Sequence, residues 1–245
     1  WDKLVVPSGG RLTTRTTQTP PDDNPCLIPP SGGYHGLENH LYRVEIHEGG
    51  SLGVAKFKWA RDNGSVATTV TAIQGTRKIV VGSIGRDSVL RFNAGDWVEI
   101  TDDWRELRNE PGEIAQIAEQ PDEANLAITL DRDIPTSGSS AFGNTAEELH
   151  KRRTRIRRWD QNRDVDTNGL LTVAGGPIDL EAGIQVTFEL DPAGGDFKAG
   201  DYWVLAARTA DASVEKLEKA PPRGIHHHYC RLALAKFPLD ESDQP

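Results

Sequence analysis

Two stretches of the chain space polar side chains in ways that suit a metal ion. In "GIHHHYCRLAL", residues 224–234, His226 and His228 would lie on one face of a strand, with Cys230 next along it. Alternate imidazoles can bind zinc, but two ligands are too few. A further ligand would come from Cys230 or from an upstream histidine, namely His35, His40 or His47. The alternative is a structural strand end, which we expect to be the main role, anchored through Ile225, Tyr229 or Leu232.

The second stretch is "DVDTNG", residues 164–169, which matches the first half of a calcium loop. Its oxygen ligands would be Asp164, Asp166 and Asn168, with Gly169 at the bend. The twelfth position is Gly175, where a bidentate glutamate is needed, so Asp179 or Glu181 would have to substitute. The alternative is a polar hairpin loop. Calcium is thus the candidate cofactor, and no other cofactor is indicated.

Three further patterns give weaker indications of chemistry. "GGSLG", residues 49–53, matches the Gly-x-Ser-x-Gly motif of a nucleophile elbow, but a strand follows it where a helix is required, so we interpret it as a hairpin turn. "HKRRTRIRRW", residues 150–159, carries six lysines and arginines. Strand alternation would place Arg153, Arg155, Arg157 and Trp159 on one face, which is either a stripe that binds a polyanion or a solvated face paired with acids. Carboxylates are abundant, yet no spacing singles out a glycosidase pair.

The composition limits the function classes. The 245 residues have a formal net charge of −9, which argues against nucleic-acid binding by the whole surface. No apolar run is long enough for a membrane helix. The two cysteines, Cys26 and Cys230, permit one bridge but no disulfide framework. The chain lacks methionine and begins "WDKLVV", which we interpret as a fragment of a longer protein.

The elements that would position these residues are mostly short strands. In "LYRVEIH", Tyr42, Val44 and Ile46 alternate with polar residues, as in a strand with one buried face. "AKFKWARDNGSVATTVTAI", residues 55–73, predicts two paired strands joined at Asn63-Gly64, because that dipeptide favours the positive φ angles of a tight hairpin turn. A short helix is predicted over Thr145–Arg153, where Thr145 and Glu148 have capping-box spacing.

One pattern occurs twice. "FNAGDWV" (92–98) and "FKAGDYW" (197–203) share Phe-x-Ala-Gly-Asp-aromatic, which predicts a turn with a left-handed glycine that begins a strand. Two related halves, or two independent uses of one turn, would explain it, and we favour the second.

These patterns predict an all-β chain of two packed β-barrel- or sandwich-like parts with one short helix. We expect an extended Pro/Gly-rich arm over 1–33, an N-terminal β domain over 34–145, a C-terminal β domain over 146–237 and an acidic tail over 238–245.

Six well-spaced motifs carry a family resemblance. They are "CLIPPSGGYHGLENHLYRVEIHEGG" (26–50), "FKWARDNGSVATTV" (57–70), "FNAGDWVEITDD" (92–103), "RRWDQ" (157–161), "AGDYWVLAART" (199–209) and "PPRGIHHHYCRLAL" (221–234). Together they resemble an uncharacterised bacterial domain family found near phage-tail-like and contractile-injection-system genes. The resemblance brings with it no established activity and no set of catalytic residues. It does imply that family members usually carry a further N-terminal region.

The function expected from these observations is structural: a subunit or adaptor of a phage-tail-like or other extracellular particle, in contact with other protein subunits as a homo- or hetero-oligomer. The particle would act outside the cell or be assembled in the cytoplasm. The alternative is a β-domain that binds or cleaves carbohydrate, with glycan as a partner and some aromatic residues lining a groove. Several tryptophans exposed in one cleft beside paired acids would favour the alternative.

Overall fold

Fourteen strands and two short helices form within residues 5–17, 32–224 and 228–234, the parts of the chain that the computed structural model describes. The strands are β1 (Gly10–Thr16), β2 (His40–Glu48), β3 (Lys56–Ala60), β4 (Ala67–Gln74), β5 (Lys78–Val81), β6 (Trp97–Thr101), β7 (Glu113–Gln116), β8 (Ala127–Thr129), β9 (Arg155–Trp159), β10 (Leu171–Thr172), β11 (Ile178–Asp179), β12 (Ile184–Leu190), β13 (Tyr202–Arg208) and β14 (Ser213–Val214). The helices are α1 (Asp103–Leu107) and α2 (Ala146–Lys151). The prediction of an all-β chain with two packed parts is confirmed, with one helix more than expected.

The first part, here called the flanking part, consists of two sheets that face each other. One sheet has the order β10-β3-β2-β13-β14 and the other β1-β12-β11. Alternate residues of both sheets meet in one core, where the ring of Phe188 lies 4.8 Å from that of Phe57 and 6.0 Å from that of Trp203. The predicted alternation along β2 is confirmed, since Tyr42, Val44 and Ile46 are all buried in this core.

The second part, here called the central part, is one curled sheet of order β7-β6-β9-β4-β5-β8. Its two edge strands approach each other beyond their ends, where Ile117 and Leu130 form an antiparallel bridge. The concave side encloses a separate core of aliphatic residues with Phe92 and Phe142. A small cluster, which includes Ala60, Ile114 and Trp159, lies apart from both large cores.

The two parts do not divide at the boundary expected near residue 145. The flanking core contains Leu12, residues 34–59 and residues 171–214, whereas the central core contains residues 70–156. The central part is therefore a continuous segment inserted between the two halves of the flanking part.

The predicted hairpin at Asn63-Gly64 is wrong in its pairing. Asn63 and Gly64 do adopt left-handed φ angles of 55° and 65°, and Asp62 precedes them at 52°. However, β3 pairs with β2 and β10, whereas β4 pairs with β5 and β9. The turn carries the chain from the flanking part to the central part instead of folding one strand onto the next.

Part of the expected N-terminal arm is a strand. β1 pairs with β12 over seven residues, from Gly10 opposite Leu190 to Thr16 opposite Ile184. Leu12 is buried in the flanking core, because "RLTTRT" alternates an apolar or small residue with a polar one. The proline-rich residues 18–31 lie outside the described residues.

The repeated Phe-x-Ala-Gly-Asp motif forms the same turn twice, as predicted. Gly95 and Gly200 both have a φ of 85°. In each copy the aspartate side chain accepts a hydrogen bond from the backbone N–H three residues earlier, at 2.8 Å for Asp96 and 2.9 Å for Asp201. Each glycine N–H also donates to a neighbouring strand, at Ile117 and Ile46 respectively, and that same isoleucine donates back to the aspartate carbonyl. The turn thus sets the register at the start of β6 and of β13.

Both helices begin at side-chain caps. The predicted capping box of α2 is present, with Glu148 N–H donating to Thr145 Oγ1 and the Glu148 carboxylate accepting from Thr145 N–H. Helix α1 begins after Asp102, whose carboxylate accepts from the N–H of Arg105. No helix within the described ranges is long and apolar enough to cross a membrane.

The predicted C-terminal strand is absent over residues 228–234. The edge of β13 that does not face β2 is already occupied by residues 213–224. Glu215 N–H donates to the carbonyl of Ala206, and Arg223 N–H donates to the carbonyl of Tyr202. Beyond Gly224 the described residues are exposed, and Leu232 is 91% exposed, so it does not anchor the chain end. Ile225 lies outside the described residues.

Candidate functional site

A polar crevice of about 230 Å³ opens between the flanking and central parts. β2 and β3 contribute Glu45, His47 and Lys58 from one side, and β6 contributes Glu99 from the other. Arg43, Arg157 of β9, Glu106 with the loop after α1, and the turn at Ala199-Gly200 also line it. The crevice therefore depends on residues from both parts.

Lys58 lies at the centre of this cluster and is only 2% exposed. Its Nζ lies 2.6 Å from Glu99 Oε2, 3.2 Å from Glu45 Oε1 and 3.1 Å from His47 Nδ1. An ammonium group has three N–H donors, so these three acceptors satisfy it completely. The ammonium also lies 4.5 Å from the ring centre of Trp159, a cation–π contact.

Glu99 is fixed by donors on all sides. Besides Lys58, its carboxylate accepts from Trp159 Nε1 at 3.0 Å and from Gly112 N–H at 3.2 Å. Burial raises the pKa of Glu99, but the nearby Lys58 ammonium outweighs it, so the pKa lies well below the ordinary value of 4.5. Glu99 is therefore ionised throughout the neutral and mildly acidic range.

Glu45 and His47 complete the cluster from β2. Glu45 Oε2 accepts from Arg43 Nε at 2.6 Å, and the Arg43 guanidinium lies 3.7 Å from the ring centre of Tyr202. Because the Lys58 ammonium can only donate, His47 Nδ1 must accept, which leaves the ring proton on Nε2. The buried charges of the cluster are thus neutralised within the protein.

The arginines of the predicted stripe, in and just before β9, are paired unequally. Arg153 lies 3.3 Å from Asp103, and Arg155 lies 2.9 Å from Asp103 and also pairs with Glu106. Arg157 has no acidic partner among the described residues, although it lines the crevice. The predicted basic stripe is therefore largely neutralised by the chain's own acids, with Arg157 as the exception.

The sequence predicted the alternation that places Arg43, Glu45 and His47 on the face of β2 opposite the flanking core. It did not predict that the central part buries this face. One weak signal was present, because Glu45 lies directly opposite Lys58 in the β2–β3 register. Such cross-strand glutamate–lysine pairs are also common on sheet faces exposed to solvent, so the pair alone does not indicate a buried cluster.

The predicted calcium-loop residues form a hydrogen-bonded turn. Asp166 Oδ1 accepts from the N–H groups of Asn168 and Leu170 at 2.8 and 3.1 Å, and its Oδ2 lies 3.0 Å from Lys56 Nζ. Asn168 Oδ1 accepts from Arg132 at 3.4 Å, and Asp164 is exposed. Calcium binding here stays a prediction.

The candidate substitutes for the twelfth calcium ligand lie on and after β11. Glu181 accepts from the Tyr42 hydroxyl at 2.7 Å and from Arg61 Nε at 2.5 Å. Asp179 accepts from Gln185 at 2.8 Å. Within the described ranges, no group of three or more His, Cys, Asp and Glu side chains is placed to hold a metal ion.

The predicted zinc ligands are only partly described. His228 lies within the described residues, and Cys230 is exposed with a free thiol. His226 and Cys26 lie outside the described residues. Of the upstream histidines, His40 Nδ1 lies 3.0 Å from Asp62 and His47 belongs to the crevice. Zinc binding by His226 and His228 stays a prediction, to be checked by metal analysis of protein purified without a nickel column.

These features define an all-β protein with two interleaved parts and a neutralised charged cluster between them. The chain belongs to a family of unknown function, DUF6519, which matches residues 7–227. No curated protein and no solved structure matches the chain.

Proposed function

We propose that this chain is a structural or adaptor subunit of a phage-tail-like or other extracellular particle, and that it acts through contacts with other protein subunits. The observation that carries the proposal is the distribution of large aromatic side chains. Trp59, Trp159 and Trp203 are each about 1% exposed and serve the folded interior. Trp104, in contrast, stands on the surface of α1 with 51% of its area exposed.

The glycan alternative has less support. A glycan groove uses exposed aromatic faces beside polar groups, whereas the aromatic residue nearest the buried glutamates, Trp159, uses its ring and its N–H inside the cluster. A glycosidase also needs one carboxyl group with a raised pKa as its acid. Glu99 has the opposite shift, and both Glu45 and Glu99 are bound to the same ammonium.

The α1 surface has the properties of a protein contact. Leu107, one turn after Trp104, is 82% exposed, so the two side chains form one apolar patch, here called the α1 patch. The guanidinium groups of Arg152 and Arg108 lie 4.5 and 5.6 Å from the Trp104 ring centre. Such contacts hold the ring in place, and a pre-ordered tryptophan flanked by arginine is typical of the residues that dominate binding energy.

The occupant that fits the α1 patch best is a second copy of this chain. The rim of the patch carries both signs of charge, since Arg152 and Arg153 are paired with Asp102 and Asp103, and Glu106 and Arg108 are exposed. A second copy presents the same apolar centre and the same mixed rim, so two patches can pair about a two-fold axis with opposite charges facing each other. An apolar centre with a charged rim is the usual arrangement in such interfaces.

The test is light scattering after size exclusion over a range of concentrations. We expect the protein to associate, and the Trp104→Ala/Leu107→Ser variant to raise the dissociation constant of the assembly at least tenfold. Leu37→Ser is the control, because Leu37 is 99% exposed but lies away from α1 in sequence. A strictly monomeric protein at every concentration would contradict the assembly proposal, and an unchanged assembly in the double variant would contradict the role of the α1 patch. Electron microscopy of the native material tests whether the assembly is a tail-like particle.

A further inference from the structure

Arg157 is an arginine whose charge the described residues leave unpaired. Directly opposite it in the β6–β9 register lies Glu99, the natural cross-strand partner. Glu99, however, is bound to Lys58, Trp159 and Gly112. The Nε of Arg157 is buried and has no hydrogen-bond partner among the described residues. Four other arginines, Arg91, Arg105, Arg152 and Arg158, also have a buried Nε without a partner, but each is bound through another guanidinium nitrogen, whereas no nitrogen of Arg157 has a partner among the described residues.

The surroundings of Arg157 hold the side chain in place. Gly64 packs against its stem, because a Cβ added at Gly64 would lie 3.1 Å from Arg157 Cδ. On another side the guanidinium lies 6.0 Å from the ring centre of Trp159. Arg157 also lines the crevice, so an acceptor can reach it from solvent. A fixed guanidinium at the wall of a crevice suits an oxyanion, which its planar N–H groups bind as a fork.

The other residues of the crevice limit the charge of this oxyanion. Lys58, Arg43, Glu45 and Glu99 neutralise one another. Glu106 and Glu110 also line the crevice, and both are exposed. A second negative group on the ligand would therefore be repelled by these carboxylates, whereas a neutral or cationic remainder would not be repelled. The volume of about 230 Å³ is below the range of about 300–1,000 Å³ usual for drug-sized ligands, so the ligand is small.

We propose that the crevice between the two parts binds a small carboxylate with a single negative group, held by Arg157. A simple carboxylic acid or an α-amino acid has this chemistry, and so does the C-terminal carboxylate of a peptide. The crevice is lined by residues of a single chain, and neither Trp104 nor Leu107 is among them, so binding can be tested on the Trp104→Ala/Leu107→Ser variant and separately from the proposed function.

The probes are acetate, glycine, triglycine, succinate and phosphate, each at matched ionic strength against chloride. Binding to the full chain is measured by calorimetry and by the rise in melting temperature, because a ligand that binds only the folded state stabilises it by mass action. We expect acetate and glycine to bind and to raise the melting temperature, and succinate and phosphate to bind more weakly. If triglycine binds as tightly as glycine, the ligand is assigned to peptide C-termini. If acetate and glycine bind but triglycine does not, the ligand is assigned to a free small molecule.

The decisive variant is Arg157→Met, which keeps a long apolar side chain but removes the guanidinium. We expect it to weaken acetate and glycine binding at least tenfold. Arg163→Met is the matched control, because Arg163 is exposed and is not part of the crevice. If Arg157→Met does not fold, Arg157→Lys keeps the charge but loses the fork, and it should weaken binding severalfold. Absence of binding by acetate and glycine, equal binding in wild type and the Arg157 variants, or a preference for phosphate or succinate would overturn the proposal.

Discussion

Replacement of Lys58 by methionine tests whether the charged cluster between the two parts is essential for stability. Methionine keeps most of the stem that packs over Trp159 but removes the ammonium that binds Glu45, His47 and Glu99 at 2.6–3.2 Å. Removing one partner of a buried ion pair typically destabilises a protein by about 3–5 kcal/mol, because the remaining charge is left uncompensated. Glu99 keeps two other donors, so we expect a loss of about 3 kcal/mol in the free energy of unfolding.

The assay is urea unfolding of the variant beside Lys56→Met, a control on the same strand. Lys56 also forms an ion pair, at 3.0 Å to Asp166, but the side chains of both partners are partly exposed. The Lys56→Met variant should therefore lose no more than about 1 kcal/mol in the free energy of unfolding. The double variant Lys58→Met/Glu99→Gln should recover part of the stability, since it removes the stranded charge. A Lys58→Met variant no less stable than Lys56→Met would refute the reasoning.

Four other predictions concern the cluster, the turns and the calcium loop. Because the pKa of Glu99 is depressed in the folded state, its stabilisation is complete above the ordinary value of 4.5; the gap in unfolding free energy between wild type and Glu99→Gln should therefore narrow as the pH falls below 4.5. Gly200→Ala should lose about 1–2 kcal/mol in urea unfolding through backbone strain alone, since φ is +85° and nothing lies within 4 Å of the added Cβ; an unchanged midpoint would contradict this. Thr145→Ala should lose about 1 kcal/mol in the same assay as the capping box of α2 is broken, and Thr145→Ser should retain it. If residues 164–169 hold calcium, a chelator should lower the melting temperature and added calcium restore it, whereas an unchanged melting curve would assign the loop a structural role.

Features that depend on neighbouring residues could be predicted from the sequence. The alternation of "LYRVEIH" predicted which face of β2 is buried in the flanking core. The capping box and the two Phe-x-Ala-Gly-Asp turns were also predicted, because their hydrogen bonds join residues only three positions apart. Helix α1 was missed, although Asp102 is a typical N-cap, because "TDD" continues directly from the strand β6.

Features that depend on distant pairing could not be predicted. Asn63-Gly64 requires positive φ angles, but a turn of that kind does not determine whether the next strand returns to β3 or enters another sheet. The cluster around Lys58 was missed for a related reason, since Glu99 lies 41 positions away and in the other part of the fold. The unpaired state of Arg157 is visible only once Glu99 is known to face Lys58.

The insertion of the central part between the two halves of the flanking part has a consequence for synthesis. β1 must wait for β12, about 170 residues later, before it can pair, whereas the strands of the central part all lie within residues 67–159. A chain that emerges from the ribosome N-terminus first should therefore complete the central part while β1, β2 and β3 still lack part of their sheet. A translational pause once Trp159 has emerged from the ribosome would leave unpaired strand edges exposed, and this stage is where we expect the nascent chain to depend most on chaperones.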